Sequence, residues 1–142
     1  MMKKLHQNIF INNLQKKVGI DIMPLKEKTC FLEKYIPSDI KEISVILISD
    51  KKITDINRKF LHKNHPTDVL SFKTSQTGDI IISAETAKMQ AKEFKHSLEK
   101  EIFYLIIHGI LHFSGYKDYS DRDRNKMLKK QDAILKKVWA GR

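Results

Sequence analysis

The chain has 142 residues, 41% of them hydrophobic, with five Gly and three Pro; that is enough apolar material for one core, and it excludes a collagen-like, low-complexity or disordered polymer. Its 27 Lys and Arg against 17 Asp and Glu give a formal charge of +10, which permits a polyanionic partner such as RNA without identifying one. The single cysteine, Cys30, excludes an intramolecular disulfide and fits a reducing compartment.

Met1-Met2-Lys3-Lys4 is basic, but His6, Gln7, Asn8 and Asn12 interrupt any signal-peptide core, and no run is long enough to span a membrane. The expectation is one soluble, cytoplasmic domain over residues 1–142. Ile9-Phe10-Ile11, ending at Asn12-Asn13, reads as a first strand. Leu25 to Tyr35 reads as a helix that stops before Pro37. Ile43 to Ile48, rich in β-branched residues, reads as a buried central strand. Ser49 or Asp50 would cap the next helix, with Ile53, Ile56, Phe60 and Leu61 on its apolar face.

A polar connection from His62 to Asp68, holding Lys63, His65 and Pro66, leads into the strand Val69 to Phe72. The polar turn Thr74 to Gly78 joins it to Ile80-Ile81-Ile82, an antiparallel partner. Ser83 can cap a helix with Ala84, Ala87, Ala91 and Phe94 inward. His96, like His6, is expected on the solvated surface. From Leu98 onward, Ile102, Phe103, Leu105, Ile106 and Ile107 surround a helix axis, the pattern of a helix buried on nearly all sides. Ser120-Asp121-Arg122-Asp123 resembles a capping box and opens a last helix packing through Met127, Leu128, Ile134, Leu135 and Val138. The fold class is α+β: a small mixed sheet packed with about five helices.

The buried helix carries His108 and His112 near its end. Residues four apart share a helical face and lie about 6 Å apart along the axis, so both rings can point at one atom. Gly115 can end the helix in the left-handed conformation and turn the chain back toward that face. Asp118 is then placed as a third ligand, whereas Asp123 belongs to the capping box at Ser120 and Asp121 to the first turn of the last helix. Two imidazoles and a carboxylate leave a coordination position open, as catalytic metal sites do. A pair of hydrogen-bonded core histidines is the alternative reading.

HxxxHxxGxxD differs from the HExxHxxGxxH of zinc peptidases at the second position, where Gly109 replaces the glutamate base. Glu101 is about 10.5 Å down the axis from His108, too far to serve. Gly109 costs about 1 kcal/mol in a helix interior, so it marks a close approach, either of a packed neighbour or of a substrate. An open metal can activate water to attack a phosphodiester, and a basic surface would hold such a substrate. Ser71, Ser83 and Cys30 lie in no nucleophile signature. Candidate substrate contacts are His62, Lys63, His65 and Asp68 in the polar connection and Lys117, Arg122 and Arg124 beside the metal motif. For Lys63, Lys117, Arg122 and Arg124 the alternative is a solvated charged face, and for His65 a turn histidine before Pro.

Asn57, Pro66-Thr67-Asp68-Val69-Leu70-Ser71-Phe72, Gly78-Asp79-Ile80-Ile81-Ile82-Ser83 and His108-Gly109-Ile110-Leu111-His112-Phe113-Ser114-Gly115-Tyr116 together resemble the YbeY family of bacterial metal-dependent endoribonucleases, from about Ile43 to Leu135. The resemblance implies an α+β fold, one zinc ion per chain, and single-stranded RNA as substrate. It also implies action on the small ribosomal subunit, in maturation of the 3′ end of its RNA and in ribosome quality control. Two positions depart from the family pattern: Asp118 stands where a third His is usual, and Leu61 where an Arg is common. The second function class is a ribosome-associated RNA-binding protein with a structural metal; a metallopeptidase comes third, disfavoured by Gly109.

Overall fold

A serine hydroxyl starts four of the helices by accepting a backbone N–H of the first turn: Ser49 from Lys52, Ser83 from Thr86, Ser97 from Lys100 and Ser120 from Asp123. Each satisfies one donor that the helix itself leaves unpaired. The computed structural model describes residues 8–62 and 67–139. Along the chain it has β1 (Ile9–Asn13), α1 (Ile22–Thr29) continued by a short 3-10 helix (Cys30–Tyr35), β2 (Glu42–Ile48), α2 (Asp50–Leu61), β3 (Val69–Lys73), β4 (Thr77–Ser83), α3 (Ala84–Phe94), α4 (Leu98–Phe113) and α5 (Asp121–Val138).

The four strands form one mixed sheet in the order β1-β2-β4-β3, parallel except for the β3–β4 pair. Ile43, Val45 and Leu47 of β2 lie beside Gly78, Ile80 and Ile82 of β4. One register residue further, Ile46 pairs with Ile81 and points the opposite way, as the period of two requires. Both faces are covered. The larger core joins the Ile43–Val45–Leu47 face to α1, α4 and α5, and a smaller one of Ile48, Ile53, Leu70 and Ile81 lies under α2. The α+β reading with a small mixed sheet and five α-helices is therefore observed among the described residues.

α4 runs through the larger core with Ile102, Phe103, Ile106, Ile107, Ile110 and Leu111 all buried. Two glycines let it sit close to the sheet. A Cβ on Gly109 would lie 2.7 Å from the Ile80 side chain, and one on Gly78 would lie 2.6 Å from the Phe113 ring. Gly109 is thus explained by helix–sheet packing, the first of its two readings. That approach fixes the last two turns of α4, which carry both histidines, against β4.

The structure also corrects four expectations. α1 begins at Ile22, with Asp21 accepting from the Met23 N–H; Pro24 lies within its first turn, where a missing N–H leaves no intrahelical bond unmade. Phe60 and Leu61 are exposed, because the small core under α2 is filled by Ile53 and Ile56, and Phe60 meets Phe72 edge-on at its rim. Phe94, placed inward above, is 62% exposed, and Leu128 is 38% exposed; both stand at the mouth of a cavity described below. His96 is not a solvated surface residue. Its ring is mostly covered and lies 2.6 Å from the carboxyl of Glu101, itself only 1% exposed. His6 lies outside the described residues.

Candidate metal centre

The end of α4 is closed by two hydrogen bonds that turn the chain around Gly115: its N–H donates to the His112 carbonyl, and the Tyr116 N–H donates to the Leu111 carbonyl. Gly115 has φ of 101°, the left-handed region that this helix ending needs. The turn brings the Tyr116 carbonyl back over the helix, where it lies 3.1 Å from His112 Nδ1. His108 Nδ1 lies 3.1 Å from Gln131 Oε1 on α5, and Gln131 in turn donates its amide to the Tyr104 carbonyl, 3.0 Å away.

These contacts settle the protons. A backbone carbonyl only accepts, so His112 carries its hydrogen on Nδ1. Gln131 spends its amide nitrogen on Tyr104 and so offers its oxygen to His108, which likewise carries its hydrogen on Nδ1. In the neutral rings, both Nε2 atoms then present lone pairs. Burial is the main cause holding His108 below the ordinary histidine range, with the His112 ring also lowering it and Gln131, Asp68 and Asp118 pulling the other way.

The two Nε2 atoms are 3.1 Å apart, and Asp118 Oδ2 is 3.5 Å from His112 Nε2 and 4.0 Å from His108 Nε2. Three lone-pair donors converging at this spacing repel one another unless a cation joins them. Tetrahedral zinc with ligands at about 2.0–2.1 Å spaces its ligand atoms about 3.3 Å apart, so the donor set fits such an ion in type and in separation. Among the described residues, His108, His112 and Asp118 are the one cluster of three His, Cys, Asp or Glu ligand atoms able to hold a metal. Asp118 is 40% exposed, so one side of the cluster faces solvent.

Of the other carboxylates after α4, Asp121 is 94% exposed and bonded to Arg124 at 2.7 Å. Asp123 gives its backbone N–H to Ser120, while the return bond from its carboxylate is not among those of the described residues. The cluster opens into a cleft of about 300 Å³ whose walls include Asn57, Leu61, Thr67, Asp68 and Ser71. Asp68 therefore stands at the site, accepting from the Gln90 amide at 3.2 Å. Leu61 puts an apolar side chain on the cleft wall.

The remaining candidates are dispersed. His62 is exposed, with φ of 58°, and caps the C-terminus of α2 outside that lining. Lys117 borders a shallow depression with Tyr116, Asp123 and Lys126. Arg122 is exposed on the first turn of α5, and Arg124 is engaged by Asp121. Lys63 and His65 lie outside the described residues. Sequence reasoning missed Gln131, which is 1% exposed between Met127 and Ile134 on the buried stripe of α5. A lone amide in an apolar stripe was the available signal, since a buried polar group needs partners.

A second cavity, of about 570 Å³, adjoins the cleft, and His108 and Asp68 line both. It contains the His96–Glu101 pair. Burial pushes the Glu101 carboxyl up to about 7, and the nearby Asp68 charge adds to this. Burial also lowers His96, as does Lys100.

The family model described as Endoribonuclease YbeY matches residues 6–139. A relative from Aster yellows witches'-broom phytoplasma (strain AYWB), named Endoribonuclease YbeY, is 39% identical over 122 residues, covering 78% of this chain and 84% of its own. One of the same name from Acetivibrio thermocellus is 38% identical and covers 92% of this chain and 96% of its own. A solution structure of a Thermotoga maritima protein has a TM-score of 0.65 at 30% identity, over 93% of this chain and 89% of that one. With a match that runs through nearly every element, including the helix bearing both histidines, the chain belongs to the Endoribonuclease YbeY family.

Proposed function

We propose that this protein is a zinc-dependent endoribonuclease that cuts single-stranded RNA, with His108, His112 and Asp118 holding one ion per chain. The observation that carries the reading is the pair of converging Nε2 lone pairs, each fixed by an Nδ1 hydrogen bond, 3.1 Å apart and beside Asp118 Oδ2. When bound there, a divalent ion makes water acidic near neutral pH and polarises a phosphoryl oxygen. Gln131 and the Tyr116 carbonyl keep both rings in the ligating tautomer and orientation, the usual work of outer hydrogen-bond partners. The open side at Asp118 admits a phosphodiester. Gly109 supplies no carboxylate base, which speaks against peptide hydrolysis.

The preferred substrate is ribosomal RNA, at the 3′ end of the small-subunit RNA and on defective ribosomes in the cytoplasm. Family membership and the charge of +10 support this. No helix among the described residues is long and apolar enough to cross a membrane. The whole chain is read as one functional unit, with His62, Lys63, His65, Asp68, Lys117, Arg122 and Arg124 as candidate RNA contacts. Leu61 on the cleft wall favours a second reading, an RNA-binding protein whose metal is structural, since no guanidinium contributes there to phosphate binding.

One assay separates the two. Purified protein is incubated with unstructured and structured RNA, with and without chelator. Cleavage of the unstructured RNA that stops with chelator and returns with zinc supports the nuclease. RNA binding without cleavage, at full zinc occupancy, supports the second reading.

A further inference from the structure

We propose that the cavity beside the metal cleft is a subsite for one unstacked nucleobase of the bound RNA, and that it prefers a base bearing an exocyclic amino group. The inference rests on the RNA reading above and adds which part of the strand is recognised and where. Continuity with the cleft identifies the occupant. His108 stands in the wall between the two spaces: its Nε2 faces His112 and Asp118, and its Nδ1 faces Gln131, a residue of the second cavity. A strand whose phosphate lies at the Nε2 side has a base within reach of the other.

The lining suits an aromatic heterocycle. Phe94 and Leu128, from α3 and α5, line it while 62% and 38% exposed, with Leu105 and Leu135 more covered. Large apolar side chains left in water at a cavity mouth are the feature that a stacked base would cover. Single-stranded RNA is recognised by such splayed bases on aromatic side chains. The volume of about 570 Å³ lies within the range of small-molecule sites.

The polar groups give the preference. The Gln90 amide already donates to Asp68, the Gln131 amide to the Tyr104 carbonyl, and the Tyr104 hydroxyl to Asp132 at 2.5 Å. The exposed carboxylate of Asp132 accepts the Tyr104 hydroxyl at one oxygen and keeps acceptor lone pairs for a ligand, whereas Glu101 is sealed against His96. Adenine, cytosine and guanine present amino donors, whereas uracil presents carbonyls in their place. A carboxylate accepting from a base amino group is an established pairing chemistry.

The test is equilibrium binding, in chelator so that no strand is cut, of fluorescent octauridylate, of the same oligomer with one internal adenosine, and of one with an abasic residue there. The expected order for the wild type is adenosine tightest, by about fivefold or more over the other two, the scale of one base-edge contact. In Phe94→Ala and in Leu128→Ala, both exposed positions, that advantage disappears, while each variant assayed separately without chelator still takes up one zinc ion per chain. Equal affinities for the three oligomers in the wild type, or an adenosine advantage that survives both substitutions, would overturn the subsite. So would self-association of the free protein relieved by Phe94→Ala, which would assign the cavity mouth to a second copy. Failure of chelator-sensitive cleavage, by contrast, would remove the nuclease reading and leave the base preference measurable.

Discussion

α4 carries a histidine–carboxyl arrangement at each end, and the two differ in almost every respect that matters. At the N-terminal end His96 and Glu101 touch at 2.6 Å, and the carboxyl is sealed from water. At the C-terminal end His108 and His112 stand 3.5–4.0 Å from Asp118, which is 40% exposed. The first pair shares a proton: burial makes charge costly, so Glu101 holds a hydrogen up to about pH 7 and hands it to a neighbour. The second set has its protons drawn off to Gln131 and Tyr116 on the far sides of the rings and turns lone pairs inward. Similar side chains thus make a structural contact where they are dry and touching, and a set able to hold a metal where outer partners hold the rings and one side stays open.

That contrast is sharpest under substitution of the histidines. His108→Ala should lower chelator-sensitive RNA cleavage by more than about 100-fold, exceeding the loss seen for outer partners of metal ligands. His96→Ala should leave one zinc per chain but destabilise the fold by about 1–3 kcal/mol, the cost of a buried carboxyl without its partner. Cleavage assays, metal analysis and denaturant titration on both variants check this. Equal metal loss in the two would erase the distinction.

Gln131 tests the outer support. Gln131→Leu keeps the volume and removes the acceptor for His108 Nδ1, so zinc affinity should fall about 10–100-fold, read by competition with a chromophoric chelator. Unchanged affinity would mean that the ring is held by packing alone.

The pH dependence of stability probes the dry pair. Glu101 titrates at about 7 in the folded chain against an ordinary value of 4.5. Between those values the folded state keeps a proton that the unfolded state has lost. The Glu101 contribution to stability is therefore full below 4.5, falls by about 1–3 kcal/mol as pH rises toward 7 and then levels, while His96 and His108, both held below the ordinary histidine range, contribute in the opposite sense. Glu101→Gln should remove the falling contribution when unfolding is followed in urea at several pH values. A stability difference between wild type and Glu101→Gln that stays constant over the window would contradict the assignment. Smallest is Gly109→Ala, which should destabilise by about 1–2 kcal/mol despite the better helix propensity of Ala, because the new methyl meets Ile80 at 2.7 Å.

Local grammar made much of this readable in advance. The serine caps, the glycine after His112 and the four-residue spacing of the histidines each act within one or two turns, where sequence distance and spatial distance agree. The convergence of His108, His112 and Asp118 was legible for that reason. Gln131 was not, because its partner is 23 residues away across a helix–helix contact, and neither was the Tyr116 carbonyl, since a backbone oxygen has no sequence signature. His96 was misjudged on the average behaviour of surface histidines, with its partner five residues on inside the next helix. The outward turns of Phe60 and Phe94 depend on how far each core extends. Helical periodicity says which face a residue shares but not where the neighbouring layer ends.

The most direct measurement is zinc stoichiometry and affinity for the wild type, Asp118→Ala, Asp118→His and Asp121→Ala side by side. One ion per chain in the wild type is predicted, with affinity strongly reduced by Asp118→Ala, kept by Asp118→His, and unaffected by Asp121→Ala, whose carboxylate is 94% exposed and bonded to Arg124. Wild-type protein that takes up no zinc, or an affinity that falls for Asp121→Ala and stays level for Asp118→Ala, would contradict the account at its centre.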